Sequence, residues 1–307
     1  MVRINSKRIS AALMSAAVLL SFPATAALNI FACEPEYAAL GKELALDNAK
    51  ISAATTALQD PHFVQARPSL ISKMRRADLV ICAGADLEIG WLPMLQMKSN
   101  NRDVQSTSKG LFYASDHIEN LDIPKTVDRS MGDVHVGGNP HLHLDPERLL
   151  TVAGALTKKL QALDADNKQQ YQQNYDDFSK RWQAAMAQWR EQVKPLNGKN
   201  IAAYHSSFRY LFEFSGLKQV ADLEPKPGLP PTTSHLLEVL KTVESDNVAV
   251  VVYTGYQDDK AAKWLSSKTG INAVQLPYTV GGNESSTDLF KLMDEHIRLL
   301  TSAFASK

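Results

Sequence analysis

Residues 164–193 read DADNKQQYQQNYDDFSKRWQAAMAQWREQV, and this stretch decides the fold. Tyr171, Tyr175, Phe178, Trp182, Met186 and Trp189 recur at spacings of three and four within an otherwise polar run. That period places all six on one face of a single helix. At about 1.5 Å per residue, about 30 residues reach about 45 Å. Pro195 and Gly198 end the run. An aromatic stripe of this kind is read as a core-facing surface, so the helix must lie along whatever flanks it.

What flanks it is strand–helix alternation on both sides. Before it, LNIFAC (28–33), ISAATT (51–56) and ADLVICA (77–83) are short apolar strand candidates. Helical patterns at 36–48, 67–77, 91–97 and 145–163 lie between and after them, with Pro68 at an N1-like position of the second. After the long helix, strands are expected at 201–204, 248–253 (VAVVVY) and 273–276. Helices are expected at 210–214, 233–245, 258–269 (closed by Gly270) and 288–304. Continuous apolar strands alternating with helices mark parallel sheets covered on both faces. The expected fold class is therefore α/β. Two α/β lobes, each a mainly parallel sheet flanked by helices, occupy 27–163 and 195–307, and one long helix at 164–194 joins them. Residues 116–139 carry Asp116, His117, Glu119, Asp122, Asp128, Asp133 and His135 among glycines, and read as a polar surface loop.

Composition narrows the function classes. The 307 residues are 44% hydrophobic and 21% charged, which excludes intrinsic disorder and fibrous architecture. Lys+Arg and Asp+Glu are both 33, without the basic excess that nucleic-acid binding needs. Arg3, Lys7 and Arg8, an apolar run at 9–22 and the small-x-small triplet Ala24-Thr25-Ala26 read as a secretory signal peptide over 1–26. Removing it leaves 30 basic against 33 acidic residues, a net charge of −3. Export permits a disulfide between the two cysteines, Cys33 and Cys82. They end the first and third strands, which are neighbours in a doubly wound sheet; two buried free thiols are the alternative. A bridge closing that loop stabilises by about 3–4 kcal/mol in the chain-entropy picture.

Among eight histidines, three sit where strands run out into loops: His62, His141 and His205. Ligands of open α/β sheets bind at those strand ends. Three neutral imidazoles drawn from two lobes suit Zn²⁺ or another borderline divalent ion. Separations of 79 and 64 residues do not by themselves demand a shared site.

The motifs around these histidines resemble those of the solute-binding proteins that serve zinc and manganese ABC importers. DPHFVQARPS (60–69) is similar to the family's first ligand loop, GNPHLHLDP (138–146) to its N-P-H-x-W-L-D-P motif with His143 in the Trp place, and AYHSSFRYLFEFSGL (203–217) to its third. The resemblance covers essentially the whole chain after the signal peptide. It implies His62, His141 and His205 as metal ligands, Zn²⁺ as transported cargo, an inner-membrane ABC permease as partner, a periplasmic monomer, and no catalysis. The family's fourth, acidic ligand is absent here, where Val274 to Tyr278 read VQLPY. Water, His143 or a loop acid such as Asp258 are the candidates for that position. His117 and His135 resemble, in diluted form, the His-rich loop of some relatives; an ordinary solvated loop is the plainer reading. His235 and His296 read as structural or surface residues. A secreted zinc hydrolase, a manganese carrier, and a binding module for another small solute remain alternatives at this point.

Overall fold

The structure, a computed structural model, describes residues 27–128 and 131–306; the signal peptide expected at 1–26 lies outside them. The first lobe holds β1 (Leu28–Ala32), α1 (Pro35–Ala45), β2 (Ala49–Ala53), α2 (Pro68–Arg75), β3 (Leu79–Cys82), α3 (Leu92–Ser99) and β4 (Leu111–Tyr113). The helix α4 (Pro146–Leu163) then leads through a short 3₁₀ turn into α5 (Lys168–Val193). The second lobe holds β5 (Asn200–Ala203), α6 (Arg209–Ser215), β6 (Lys218–Asp222), α7 (Thr233–Ser245), β7 (Val250–Thr254), α8 (Lys260–Thr269), β8 (Asn272–Leu276) and α9 (Leu289–Ala305).

The two sheets repeat one topology. Their strand orders are β2-β1-β3-β4 and β6-β5-β7-β8. Every neighbouring pair is parallel. In each sheet the order reverses beside the first strand, so both lobes leave a crevice at the carboxyl ends of their strands. The edge strands β4 and β6 are additions to the sequence reading. β4 is three residues long and β6 carries an exposed and half-buried pattern, so neither shows the apolar run that announces a central strand.

The long helix is 26 residues, about 39 Å at 1.5 Å per residue, because residues 165–167 form the 3₁₀ turn. Its stripe is buried as expected: Tyr171, Phe178, Trp182, Met186 and Trp189 face inward. It packs against α1 and α4 on one side and α9 on the other. One apolar core runs beneath it, from Ile30 and Leu79 of the first sheet to Ile201 and Val250 of the second. The outer face of each sheet has its own smaller cluster. The lobes are therefore fused along their inner faces rather than hung on a linker.

In β1 and β3, Ala32 lies opposite Ile81, which puts the next residues, Cys33 and Cys82, side by side. They form the expected disulfide, with Cα atoms 4.8 Å apart. Among the described residues no helix is long and apolar enough to cross a membrane.

Trp182 is fully buried and donates its indole N–H to the Pro146 carbonyl at 2.8 Å. Trp182→Ala is expected to lower the unfolding free energy by about 3–5 kcal/mol, seen as a lower urea midpoint at an unchanged slope. A loss below about 1 kcal/mol would show that the stripe does not anchor the core.

Candidate metal centre

Two of the three predicted histidines are set by the same local device. In Asp60-Pro61-His62 the Asp60 carboxylate accepts the His62 backbone N–H at 3.0 Å. In Asn139-Pro140-His141 the Asn139 carbonyl oxygen accepts the His141 N–H at 3.0 Å. An Asx residue bonding two positions on, with proline between, is a turn that needs no help from a sheet or helix. Further bonds pin each turn in place. Trp91 donates its indole N–H to the Pro61 carbonyl at 2.9 Å. Asn139 donates its amide to the Ser206 carbonyl at 2.9 Å, tying the His141 loop to the His205 loop. Asp145 then caps α4, accepting from the backbone N–H groups of Glu147 and Arg148, with Pro146 at the first turn. His205 stands two residues beyond the carboxyl end of β5, after Tyr204.

These positions converge. One nitrogen from each of His62, His141 and His205 lies within 4.8 Å of the others. The ring centroids are 5.7–6.0 Å apart and the rings meet edge-on. Each ring is oriented from behind through Nδ1. That of His62 lies 2.7 Å from Asp60 Oδ1, that of His141 2.8 Å from the Tyr278 hydroxyl, and that of His205 2.8 Å from Glu224 Oε2. A carboxylate only accepts, so Nδ1 of His62 and His205 carries the proton and Nε2 keeps a lone pair. Nε2 of His141 and of His205 is buried with no hydrogen-bond partner among the described residues. Buried polar atoms are paired in nearly all native structures. Two inward-facing orphans on rings whose other nitrogens are already held are groups that could hold a metal ion.

The remaining histidines separate by place. His143 has both nitrogens occupied: Nε2 lies 3.0 Å from the Tyr278 carbonyl and Nδ1 3.2 Å from Glu36 Oε1. His296 is buried, with Nε2 2.6 Å from the Pro277 carbonyl. His235 reaches the Asp222 carbonyl at 2.9 Å near the start of α7. His117 is exposed and stacks on Phe112 at 4.6 Å, away from the cluster. Asp258 is exposed and bonded to Lys260. His135, by contrast, reaches the cluster: its Nε2 is 3.2 Å from Nε2 of His62. Sequence reading left His135 in the loop; the short Gly132-Asp133-Val134-His135 run carries no periodicity that would have singled it out. Glu224 was also missed, because it follows the unread edge strand β6. A small cleft of about 50 Å³ opens beside His62 and His205, lined also by Asp60, Asp133, Glu224 and Tyr256.

Electrostatics favours neutral rings. Burial, with the imidazoles of His205 and His62 beside it, holds His141 well below the usual histidine range. Burial with His62 and His205 lowers His135 to about 3, and burial lowers His296 to about 4. Burial pushes the Asp60 carboxyl up, but the bonds and charge of His62 outweigh it and leave it below its ordinary value.

Two parallel-sheet lobes meeting over inward-facing imidazole nitrogens define a two-lobed binding protein with a nitrogen-rich cleft. The chain belongs to the family described as zinc-uptake complex component A, periplasmic, which matches residues 30–303. It is 24% identical over 233 residues to the zinc-binding lipoprotein AdcA of Streptococcus pneumoniae, covering 75% of this chain and 46% of AdcA. It thus spans about half the length of that relative. It is 22% identical over 249 residues to the high-affinity zinc uptake system protein ZnuA of Bacillus subtilis (80% of this chain, 77% of that one). Against the manganese ABC transporter substrate-binding lipoprotein PsaA of S. pneumoniae the identity is 23% over 252 residues (80% and 77%). In fold it is similar to a crystal structure of ZnuA, with a TM-score of 0.77, 20% identity, and coverage of 90% of this chain and 99% of that one.

A histidine with a depressed folded pKa is neutral in the fold and takes up a proton on unfolding once the pH is below about 6.5. His296 therefore costs stability as pH falls from about 6.5 to about 4. Glu88, pushed up to about 7 by burial, works in the opposite sense, gaining its proton in the folded state first as pH falls below 7. Because the two offset, a residue-resolved measurement is required. In the metal-free protein the His296 imidazole carbon resonances should stay unshifted down to pH 5 and move with a midpoint near 4. A midpoint near 6.5 would contradict the buried, carbonyl-bonded ring.

Proposed function

We propose that the chain is a periplasmic zinc-binding protein that captures Zn²⁺ between its lobes and delivers it to an ABC-type importer in the inner membrane, acting as a monomer. His62, His141 and His205 are the protein ligands. The observation that supports this most is the set of three imidazoles whose Nδ1 atoms are each held by an oxygen partner while Nε2 faces the common cleft. Zinc takes imidazole nitrogen at about 2.0–2.1 Å, in tetrahedral geometry and without redox chemistry. Nitrogen donors favour zinc over manganese, which suits carboxylate, carbonyl and water oxygen. Tyr278 stands in the strand-end loop where a carboxylate is expected, and its hydroxyl orients His141.

The action is capture and release without catalysis. A zinc hydrolase needs a general base beside the metal-bound water. The acids closest to the imidazoles, Asp60 and Glu224, are engaged in orienting them. Protons compete with the ion for the same lone pairs, so binding weakens in acid. The fused core beneath α5 resists wide separation of the lobes. Exchange of the ion therefore falls to the loops at 54–67 and 223–231.

Substituting alanine for His62, His141 or His205 singly is expected to weaken zinc binding by on the order of 10²-fold or more in calorimetric titration, with the fold retained. Unchanged affinity in all three variants would sink the assignment.

A further inference from the structure

The loop that carries His135 is built against both lobes at once. On the first lobe, Gly137 approaches so closely that a Cβ there would lie 2.9 Å from Cα of Ala85. His135 itself is held by the backbone of Asp86. On the second lobe, the Asp133 N–H donates to the Pro227 carbonyl at 2.9 Å. A Cβ at Gly132 would meet the Pro227 carbonyl oxygen at 2.4 Å, and one at Gly228 the Asp133 carboxylate at 2.3 Å. Glycine at these positions lets backbone pass where a side chain cannot. The same short segment, 223–228, carries Glu224, which accepts the Gly228 N–H at 3.1 Å while it orients His205. The half-buried His135 is thus set in place by contacts on two sides.

Its distance to His62 matches a coordination geometry, while His135 stands outside the group of three whose nitrogens all lie within 4.8 Å of one another, so joining them takes a small inward shift of its loop. Around a tetrahedral zinc with Zn–N bonds of about 2.0–2.1 Å, neighbouring nitrogens are about 3.3–3.4 Å apart. Nε2 of His135 and Nε2 of His62 are 3.2 Å apart. The ring of His135 lies edge-on to that of His141, with centroids 6.5 Å apart. Asp60 accepts a hydrogen bond from the Nδ1–H of His62, so the His62 Nε2 facing His135 is a lone pair. Nε2 of His135 faces it at 3.2 Å. With an ion, both lone pairs are donors. The other acids and histidines weighed for this position lie elsewhere: His143 has both nitrogens occupied, and Asp258 is exposed beside Lys260.

We propose that His135 is the fourth protein ligand, completing a four-imidazole tetrahedral site that discriminates zinc from manganese. This rests on the three-histidine reading above and extends it. The test uses the one-to-one zinc complex of the exported chain, with zinc K-edge X-ray absorption to count imidazoles and competition titration to measure affinity. The wild-type protein should show four imidazoles. His135→Ala should show three plus an oxygen donor, bind zinc about 10–100-fold more weakly and narrow its preference for zinc over manganese. His135→Gln should repeat that result and guards against a folding defect in the alanine variant, which circular dichroism checks. His62→Ala is the reference that loses tight binding altogether. If the His135 variants match wild type in imidazole count and affinity while His62→Ala fails, the fourth-ligand assignment is wrong and the three-histidine site stands. Three imidazoles and a carboxylate oxygen in wild type would also overturn it, in favour of Asp133, which lines the same cleft. If His62→Ala too binds as wild type, the underlying reading falls.

Discussion

The continuous apolar core beneath α5 is the constraint on which the rest depends. Each sheet alone ends in a crevice at its strand termini, but the crevice of one lobe supplies only part of a coordination shell. The core that joins Leu40 and Ile81 to Ile201 and Val252 fixes how the two sheets face each other. Trp182 meets Trp189 and Phe290 edge-to-face, each at 4.9 Å, along this seam, a geometry that adds to their burial. With the sheets fixed, the loops after β2, β4 and β5 must meet, and the histidines they carry meet with them. Close packing of this kind transmits small displacements rather than absorbing them. The precision of the site is therefore inherited from apolar contacts well away from it.

A second, polar layer lies between core and site. Glu34, Glu36 and Glu88 are fully or almost fully buried. Burial and the neighbouring carboxylates of Glu88 and Glu36 push Glu34 well above its ordinary range. Thr279 donates to Glu36 Oε2 at 2.5 Å, and His143 sits between Glu36 and the Tyr278 carbonyl. His296 reaches the Pro277 carbonyl from α9. Every one of these contacts ends on residues 277–279. The residue they hold still is Tyr278, whose hydroxyl orients His141. His296, read as structural, and His143, a candidate for the fourth metal position, thus act at one remove: they fix the loop that fixes the ring. Glu88 serves differently, accepting the backbone N–H groups of Ala83 and Gly84 and closing the turn after β3.

Legibility followed local chemistry. The aromatic stripe of α5 and the central strands were readable because their period or their unbroken apolarity is a property of contiguous residues. The same holds for Asp60-Pro61-His62 and Asn139-Pro140-His141, where aspartate or asparagine, proline and histidine form the turn by themselves. Cys33 and Cys82 could be paired because strand order alone makes them neighbours. Of the four edge strands, β2 and β8 were legible, whereas β4 is only three residues long and β6 reads Lys-Gln-Val-Ala-Asp without an apolar run. Glu224 and His135 were hidden for a related reason. Each earns its place only through a partner far along the chain, His205 and His62 respectively, and a partner 19 or 73 residues away leaves no local pattern.

Charge explains why a tyrosine can stand where a carboxylate is expected. Neutral imidazoles leave the full double charge of a bound zinc ion in place, and a buried charge must be balanced nearby. Asp60 and Glu224 supply two negative charges, each one hydrogen bond behind a proposed ligand. Both side chains retain contact with solvent, at 38% and 12% exposure, so water still reaches them when the ion has left. Tyr278 is only 2% exposed. A third carboxylate at that depth would overshoot the charge of the ion and, after release, would remain desolvated among the buried acids Glu34 and Glu36. A neutral hydroxyl orients His141 and carries neither penalty, which is consistent with the proposed capture and release of a cation.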